Sequence, residues 1–146
     1  MSKGLGILLA WLLSGGAGVA SPDPPPGQCP QPRFTGKAPE AIYSLSNPLG
    51  RSPETIAAGR RLYEKRAQPT CPACHGIRGD GKGPLAAQFD PPPRNFACAQ
   101  TVNGIPDGQL FWIIENGSPG TAMPSFQALR EEQIWQVVLY LRELAK

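Results

Sequence analysis

The sequence predicts an all-helical domain joined by long Gly- and Pro-rich loops. Three segments carry helix start signals or an apolar stripe at helical spacing, and none alternates apolar and polar residues as a strand does. The 146 residues include 17 Gly and 18 Pro, about a quarter of the chain, a composition that favours loops over regular packing. We therefore expect few helices and a small conventional core.

The first twenty residues have the pattern of an export signal. Lys3 precedes an apolar run at residues 5–13, and small residues follow up to Ala20, after which we expect cleavage. The run is shorter than the roughly 20 residues that span a bilayer. This predicts a protein exported to the periplasm with no stable membrane span, although an uncleaved membrane anchor is the alternative.

Residues 21–50 are predicted to form an extended Pro-rich arm, and residues 51–146 the folded domain. Seven prolines lie between positions 22 and 39, where they favour extended conformations over helix. The first helix begins at Ser52 as N-cap, with Pro53 and Glu54 in its first turn, and ends by Ala67. Gly59 within it indicates the close approach of another element, or a glycine that is merely tolerated.

Two further helices follow a loop-rich region at residues 71–99, in which only residues 85–89 resemble a helical turn. The first is Asp107–Asn116, with Asp107 as the expected cap and Gly117 at the C-terminal position. The second spans residues 130–144, and its apolar stripe consists of Ile134, Val137, Val138, Leu141 and Leu144. Three helices cannot fill an ordinary interior, so we expect a buried apolar cofactor.

The chemistry is concentrated in the motif CPACH at residues 71–75, which contains the sole histidine of the chain. A thioredoxin-like thiol pair would need a βαβ pattern, which is missing. A structural zinc ion needs four suitably spaced ligands, whereas Cys29 and Cys98 are isolated in the sequence. The third interpretation is covalent c-type haem attachment through Cys71 and Cys74, with His75 as axial iron ligand.

The second axial ligand follows by elimination. No other histidine exists, and Met1 would be lost with the export signal, which leaves Met123 in the loop NGSPGTAMPSF. The pair His75 and Met123 raises the reduction potential of haem and suits electron transfer. The alternative is that Met123 is an ordinary core side chain.

Over residues 50–146 the chain resembles a class I monohaem cytochrome c. The segments that carry the resemblance are the helix before CPACHG, the loop GDGKGP, the loop NGSPGTAMPSF and the final helix IWQVVLYLREL. The resemblance implies an all-α cytochrome c fold, with three to five short helices wrapped around one covalently attached haem c. It also implies that the helix with Gly59 and Tyr63 crosses the final helix at Val137 and Tyr140. Finally, it implies that the carbonyl of Pro84 accepts the N–H of the ligating histidine.

Two features go beyond a minimal member of this family. Cys29 and Cys98 remain after haem attachment, and a disulfide between them would tie the arm to the loop before residue 99. Free thiols or an intermolecular bridge are the alternatives. Arg94 and Asn95 are further candidates for contact with the haem, through its propionates or around its ligands, although Arg94 could equally be solvated.

The expected function is single-electron transfer between protein partners, a donor and an acceptor such as a membrane oxidase or a periplasmic reductase or dehydrogenase. The formal charge of +3 comes with no Lys/Arg run of the nucleic-acid-binding type. No catalytic residue is evident, so we predict no enzyme activity. A subunit of a periplasmic oxidoreductase is the alternative. A haem peroxidase or gas sensor is a third class, which would need an open sixth coordination position on the iron. Basic residues flank the motif, either as a rim that attracts acidic partners or as a solvated face: Arg60, Arg61, Lys65, Arg66, Arg78 and Lys82.

Overall fold

The computed structural model describes residues 25–32, 35–65 and 70–145. Within these ranges the chain forms no β-strand, one 3₁₀ turn at Ala86–Gln88 and six α-helices. None of the helices in these ranges is long and apolar enough to cross a membrane. The all-helical class is therefore confirmed, while the predicted export signal lies outside the described residues. The helices are α1 (Glu40–Tyr43), α2 (Pro53–Tyr63), α3 (Cys71–His75), α4 (Ala99–Val102), α5 (Asp107–Asn116) and α6 (Glu131–Leu144).

Helices α2 and α6 cross at the centre of the domain. A Cβ atom added to Gly59 would lie 1.9 Å from the backbone oxygen of Gln136, so only glycine lets the two backbones come this close. One turn further along, the rings of Tyr63 and Tyr140 meet edge to face, with centroids 5.4 Å apart. The predicted close approach at Gly59 is confirmed, and its partner is a main-chain carbonyl as well as the side chain of Tyr140.

Helix α2 begins as predicted. The Ser52 hydroxyl accepts the backbone N–H of Thr55 at 3.2 Å, and the Thr55 hydroxyl accepts the N–H of Ser52 at 3.0 Å, which completes a capping box. The helix ends at Tyr63, ahead of the predicted limit at Ala67, which lies outside the described residues.

The apolar stripe of α6 faces the core. Its first four predicted members are buried and Leu144 is half-buried. The indole of Trp135 stacks on the Phe111 ring of α5 at 4.4 Å between centroids. Because α6 packs against both α2 and α5, it holds the two sides of the domain together.

Asp107 is not the N-cap of α5, contrary to the prediction. Pro106 occupies that position and makes no side-chain cap. The Asp107 carboxylate instead accepts two hydrogen bonds from Arg142 of α6, at 2.8 Å from Nε and 2.7 Å from Nη2. It also accepts the backbone N–H of Asn47 at 3.3 Å. A long-range arginine has displaced the local cap and ties α5 to α6 and to the arm.

The described part of the arm lies against the domain. The sulfur atoms of Cys29 and Cys98 are bonded at 1.95 Å, which confirms the predicted disulfide. A Cβ atom on Gly108 would lie 1.8 Å from the Ile42 oxygen, so α5 and the arm touch backbone to backbone. The segment predicted to be coil also contains the short helix α1. The arm is thus a packed part of the fold.

Candidate functional site

The CPACH motif folds into the short helix α3. The Thr70 hydroxyl accepts the N–H of Ala73 at 3.3 Å, and Pro72 sits in the first turn, where its missing N–H costs nothing. Cys71 and Cys74 are three residues apart, so they share one face of the helix. Gly76, with φ of 78°, then turns the chain out of the helix.

An apolar cavity of about 290 Å³ lies against this face. Cys71, Cys74, His75 and Met123 all line it, and the rest of the lining is mainly apolar, contributed by α2, α5, α6 and the proline-rich segment 91–93. This cavity is the unfilled interior that we expected from the small number of helices. Two thiols, an imidazole and a thioether around one apolar space fit a flat apolar cofactor that carries a metal.

The imidazole of His75 is oriented by a main-chain carbonyl. Its Nδ1 lies 2.9 Å from the oxygen of Arg94. A carbonyl oxygen can only accept, so Nδ1 carries the proton and Nε2 carries the lone pair that a metal needs. The ring is only 9% exposed and stacks on Phe96, with centroids 4.5 Å apart. The histidine is therefore held in the tautomer of an axial ligand.

The predicted role of Pro84 is wrong, because the carbonyl that accepts from His75 belongs to Arg94. Pro84 is exposed and does not line the cavity. The backbone around it serves α3 itself: the N–H groups of Gly83 and Leu85 donate to the carbonyls of Cys74 and Ala73, at 3.1 and 2.9 Å. These bonds hold the segment beside the helix, while the proline-rich segment passes His75.

Met123 lies in a loop that folds back onto the end of α5. Gly117, with φ of 80°, ends the helix, and the N–H of Ser118 donates to the Met123 carbonyl at 3.2 Å. Further along, the N–H of Phe126 donates to the Ile114 carbonyl at 3.0 Å. These bonds fix the loop so that Met123 lines the same cavity as α3.

Arg94 and Asn95 have different surroundings. Arg94 lines the cavity and is 9% exposed, and its Nη1 donates to the carbonyl of Gln31 at 2.9 Å. Asn95 does not line the cavity; its Nδ2 donates to the carbonyl of Gly27 at 2.9 Å. Of the two residues predicted to lie near the cofactor, Arg94 lines the cavity, whereas Asn95 is engaged by the arm.

The environment of the two motif thiols differs from that of a redox pair. Burial raises the pKa of Cys71 to about 11, and burial also raises the pKa of Cys74. Reactive thiol pairs depend instead on a lowered pKa, because the thiolate is the nucleophile. In the described part of the chain, no three His, Cys, Asp or Glu residues cluster as a metal site. The arrangement favours attachment of a cofactor over thiol exchange.

Sequence reasoning missed two residues at this site. Gln31 is 2% exposed and hydrogen-bonds to the segment that carries the Arg94 carbonyl. Phe96 packs against the His75 ring. Phe96 belongs to the loop around DPPPRNF, whose proline content marks it as rigid. Nothing in the arm sequence distinguishes Gln31, since its partners lie more than sixty residues away.

Comparisons with known proteins agree with this geometry. The family model for cytochrome c matches residues 56–145, more than half of the chain. A search of curated proteins finds no match. Among solved structures, a chain of a reducing HAO-like protein complex of Kuenenia stuttgartiensis is similar, with a TM-score of 0.59 and 30% sequence identity. The alignment covers 71% of this chain and 49% of that one, so this chain spans about half the length of that relative.

Proposed function

The chain belongs to the cytochrome c family, and from this premise we propose that it carries single electrons on one haem c bound covalently through Cys71 and Cys74. The family implies haem-based electron transfer. The covalent attachment, the single haem and the axial ligands are our proposal, supported by one observation. The two thiols, the His75 imidazole and the Met123 thioether line the same apolar cavity.

Each of these residues has a distinct task. Cys71 and Cys74, on one face of α3, would hold haem through thioether bonds, and His75 and Met123 would bind its iron. Haem with this ligand pair supplies a one-electron iron couple of raised potential. Arg94 holds the proton of His75 on Nδ1, which keeps Nε2 available for the metal. The lining around these residues is mainly apolar, which suits the apolar ring of haem.

We propose that the protein transfers electrons and has no enzyme activity of its own. Peroxidase or gas-sensor chemistry needs an iron position open to a substrate. Met123 would occupy that position here, because its loop is pinned to the end of α5 by the bonds of Ser118 and Phe126. The ligand set therefore favours unchanged coordination in both oxidation states.

We place the protein in the periplasm, exported by residues 1–20, and expect acidic redox partners there. Arg61, Lys65 and Lys82 are exposed and lie close to the motif in the sequence, and Lys65 also lines the cavity. Arg60 and Arg78 are exposed as well, but each pairs with a nearby carboxylate, Arg60 with Glu64 at 2.8 Å and Arg78 with Asp80 at 3.2 Å. The predicted rim also included Arg66, which lies outside the described residues. A basic surface of this kind speeds encounter with acidic partners.

A second candidate function is that of an electron-transfer subunit in a larger oxidoreductase. The structural relative from Kuenenia stuttgartiensis comes from a reducing HAO-like protein complex. The arm would then provide docking surface that a minimal cytochrome lacks. Purification from the native host distinguishes the two candidates. A free monomer in the periplasmic fraction supports the carrier, whereas stable co-purification with a larger subunit supports the complex.

Haem attachment is tested by denaturation. The protein is expressed together with a cytochrome maturation system, unfolded, and stained for haem on a gel. We expect haem to remain on the wild-type polypeptide and to be absent from Cys71→Ser/Cys74→Ser. The matched control Cys29→Ser/Cys98→Ser removes two cysteines outside the motif and should keep its haem. Release of haem from the unfolded wild type, or its retention by the motif variant, would overturn the proposed attachment.

A further inference from the structure

The peptide group between Arg94 and Asn95 is hydrogen-bonded at both ends. Its carbonyl oxygen accepts Nδ1–H of His75 at 2.9 Å, and its N–H donates to Oε1 of Gln31 at 3.1 Å. The peptide bond between Arg94 and Asn95 is trans, so its carbonyl and its N–H point in opposite directions. One rigid plane therefore lies between the His75 imidazole and the side chain of Gln31.

Gln31 is itself held in place from several directions. Its Nε2 donates to the Pro93 carbonyl at 3.2 Å, and its main-chain carbonyl accepts a hydrogen bond from Nη1 of Arg94 at 2.9 Å. Its backbone N–H donates to the Thr101 hydroxyl at 2.9 Å. The disulfide of Cys29 lies two residues earlier. With 2% exposure, this side chain has little freedom to leave the peptide group.

A primary amide fits both sides of this contact. Pro93 offers only an acceptor and Asn95 N–H only a donor, so the partner must supply one donor and one acceptor side by side. A reversed amide would set NH₂ against N–H and oxygen against oxygen. The hydrogen bonds to Pro93 and Asn95 therefore fix which amide atom faces Asn95, and that atom is the acceptor oxygen.

We propose that Gln31 is a positioning residue of the haem site, which tunes the axial ligand His75 through the Arg94–Asn95 peptide group. This rests on the proposed function, in which His75 binds the iron. When the peptide N–H donates to an acceptor, the carbonyl of the same peptide group becomes more polarised. The carbonyl then accepts a stronger hydrogen bond from Nδ1–H of His75. A more strongly bound Nδ1–H makes the imidazole a better electron donor, which favours the oxidised iron. Gln31 thus lowers the reduction potential and orients the ring.

The direct test is Gln31→Leu in the haem-loaded protein. Without the acceptor, the His75 bond weakens and the reduction potential rises. We expect at least a threefold shift in the reduced-to-oxidised ratio at fixed ambient potential, or about 28 mV from the one-electron relation of 59 mV per tenfold change. In proton NMR of the reduced protein, Nδ1–H of His75 should exchange faster with solvent. A loss of stability alone can speed this exchange but does not shift the reduction potential, so the potential is the deciding reading.

Asn47→Ala is the matched control, because it also removes a hydrogen bond between the arm and the domain. Asn47 Nδ2 donates to the Trp135 carbonyl at 2.9 Å, and Asn47 does not line the cavity. We expect the wild-type potential and the wild-type Nδ1–H exchange rate in this variant. Equal shifts in Gln31→Leu and Asn47→Ala, or no shift in either, would overturn the inference.

Gln31→Glu decides the question if Gln31→Leu does not fold with haem. The glutamate keeps an acceptor opposite Asn95 N–H, so its potential should be at or below that of the wild type and its Nδ1–H exchange no faster. A higher potential or faster exchange would contradict the proposal. A wild-type protein that lacks haem, or lacks histidine and methionine ligation, would instead refute the proposed function itself.

Discussion

At the scale of single residues, two contacts control the ligands of the proposed haem. The Arg94 carbonyl accepts from Nδ1 of His75 at 2.9 Å, which leaves Nε2 as the basic nitrogen. On the other ligand, the hydrogen bond from Ser118 N–H to the Met123 carbonyl, at 3.2 Å, holds the loop against the cavity. In both contacts the accepting group is a main-chain carbonyl, so the path of the backbone positions both ligands.

Replacement of Met123 by alanine should open one axial position. The reduction potential should fall, because the thioether favours the reduced iron. The reduced variant should also bind carbon monoxide, which the wild type should exclude. Potentiometry and visible spectra after addition of carbon monoxide check both expectations. A variant with the wild-type potential and no carbon monoxide binding would show that Met123 is an ordinary core side chain.

Tyr63 should make stability depend on alkaline pH. Burial raises its pKa above the ordinary value, and its hydroxyl donates to the Gly76 carbonyl at 2.7 Å. A raised pKa in the folded state means that the stabilisation is complete below the unfolded pKa of about 10 and is lost as the pH rises above it.

Tyr63→Phe should therefore cost about 1 kcal/mol near neutral pH, where the hydrogen bond is lost. It should also make the free energy of unfolding decline less steeply above about pH 10. Denaturant titrations of both proteins over this pH range provide the measurement. Parallel declines for wild type and variant would contradict the assignment, since burial also raises the pKa of Tyr140 and a shared decline would then have that source.

At the scale of helices, the crossing of α2 and α6 positions the wall of the cavity. Tyr63 lies in the crossing and also lines the cavity, and Val137 and Leu141 do so from α6. The Tyr63 hydroxyl, at the end of α2, donates a hydrogen bond to the carbonyl of Gly76, the first residue after α3. The crossing therefore sets the position of the CPACH helix as well as that of the core.

Gly59→Ala should disrupt this crossing. The new methyl group would meet the Gln136 carbonyl, a backbone atom that moves only with α6. We expect the free energy of unfolding to fall by about 2 kcal/mol. Gly104→Ala is the control, because a Cβ atom there meets nothing within 4 Å, and it should change stability by less than about 0.5 kcal/mol. Equal stabilities of the two variants in denaturant titrations would contradict the close packing.

The helices were predictable where their signals are local. The cap at Ser52 and the stripe of α6 each depend on neighbours a few positions away. Gly59 indicated a close approach, but its contact with Gln136 is long-range, and only the family resemblance pointed to the last helix as the partner. The role of Asp107 was not predictable, because Arg142 competes for its carboxylate from another helix. The prediction for Pro84 was wrong for the same kind of reason. The carbonyl that accepts from His75 belongs to Arg94, 19 positions beyond the histidine, and the path of the chain brings it there.

At the scale of the whole molecule, the arm is bound along its described length. Gln31 bonds to the segment beside His75, Ala38 N–H donates to Oε1 of Gln109 at 2.8 Å, and Asn47 bonds to α6. Composition predicted an extended, Pro-rich segment, and its cysteine predicted the disulfide. Composition could not predict that the arm contacts the backbone behind the proposed ligand, because each contact joins residues far apart in the sequence.

Removal of the disulfide should destabilise the protein while leaving the haem attached. The bridge closes a loop between residues 69 positions apart. Opening a loop of this length by Cys29→Ser/Cys98→Ser should cost about 2–4 kcal/mol, chiefly because the unfolded chain becomes freer. Denaturant titration measures the loss. A thiol count on the unfolded wild type adds a second check, since two titratable thiols besides the haem-bound cysteines would contradict the bridge.

The visible spectrum of the purified protein, oxidised and reduced, tests the central claim most directly. After expression with a cytochrome maturation system, we predict the bands of one low-spin c-type haem. The oxidised form should also show a methionine-to-iron charge-transfer band that vanishes on reduction. A protein that folds but shows no haem bands under these conditions would contradict the account of the cavity, its thiols and its ligands.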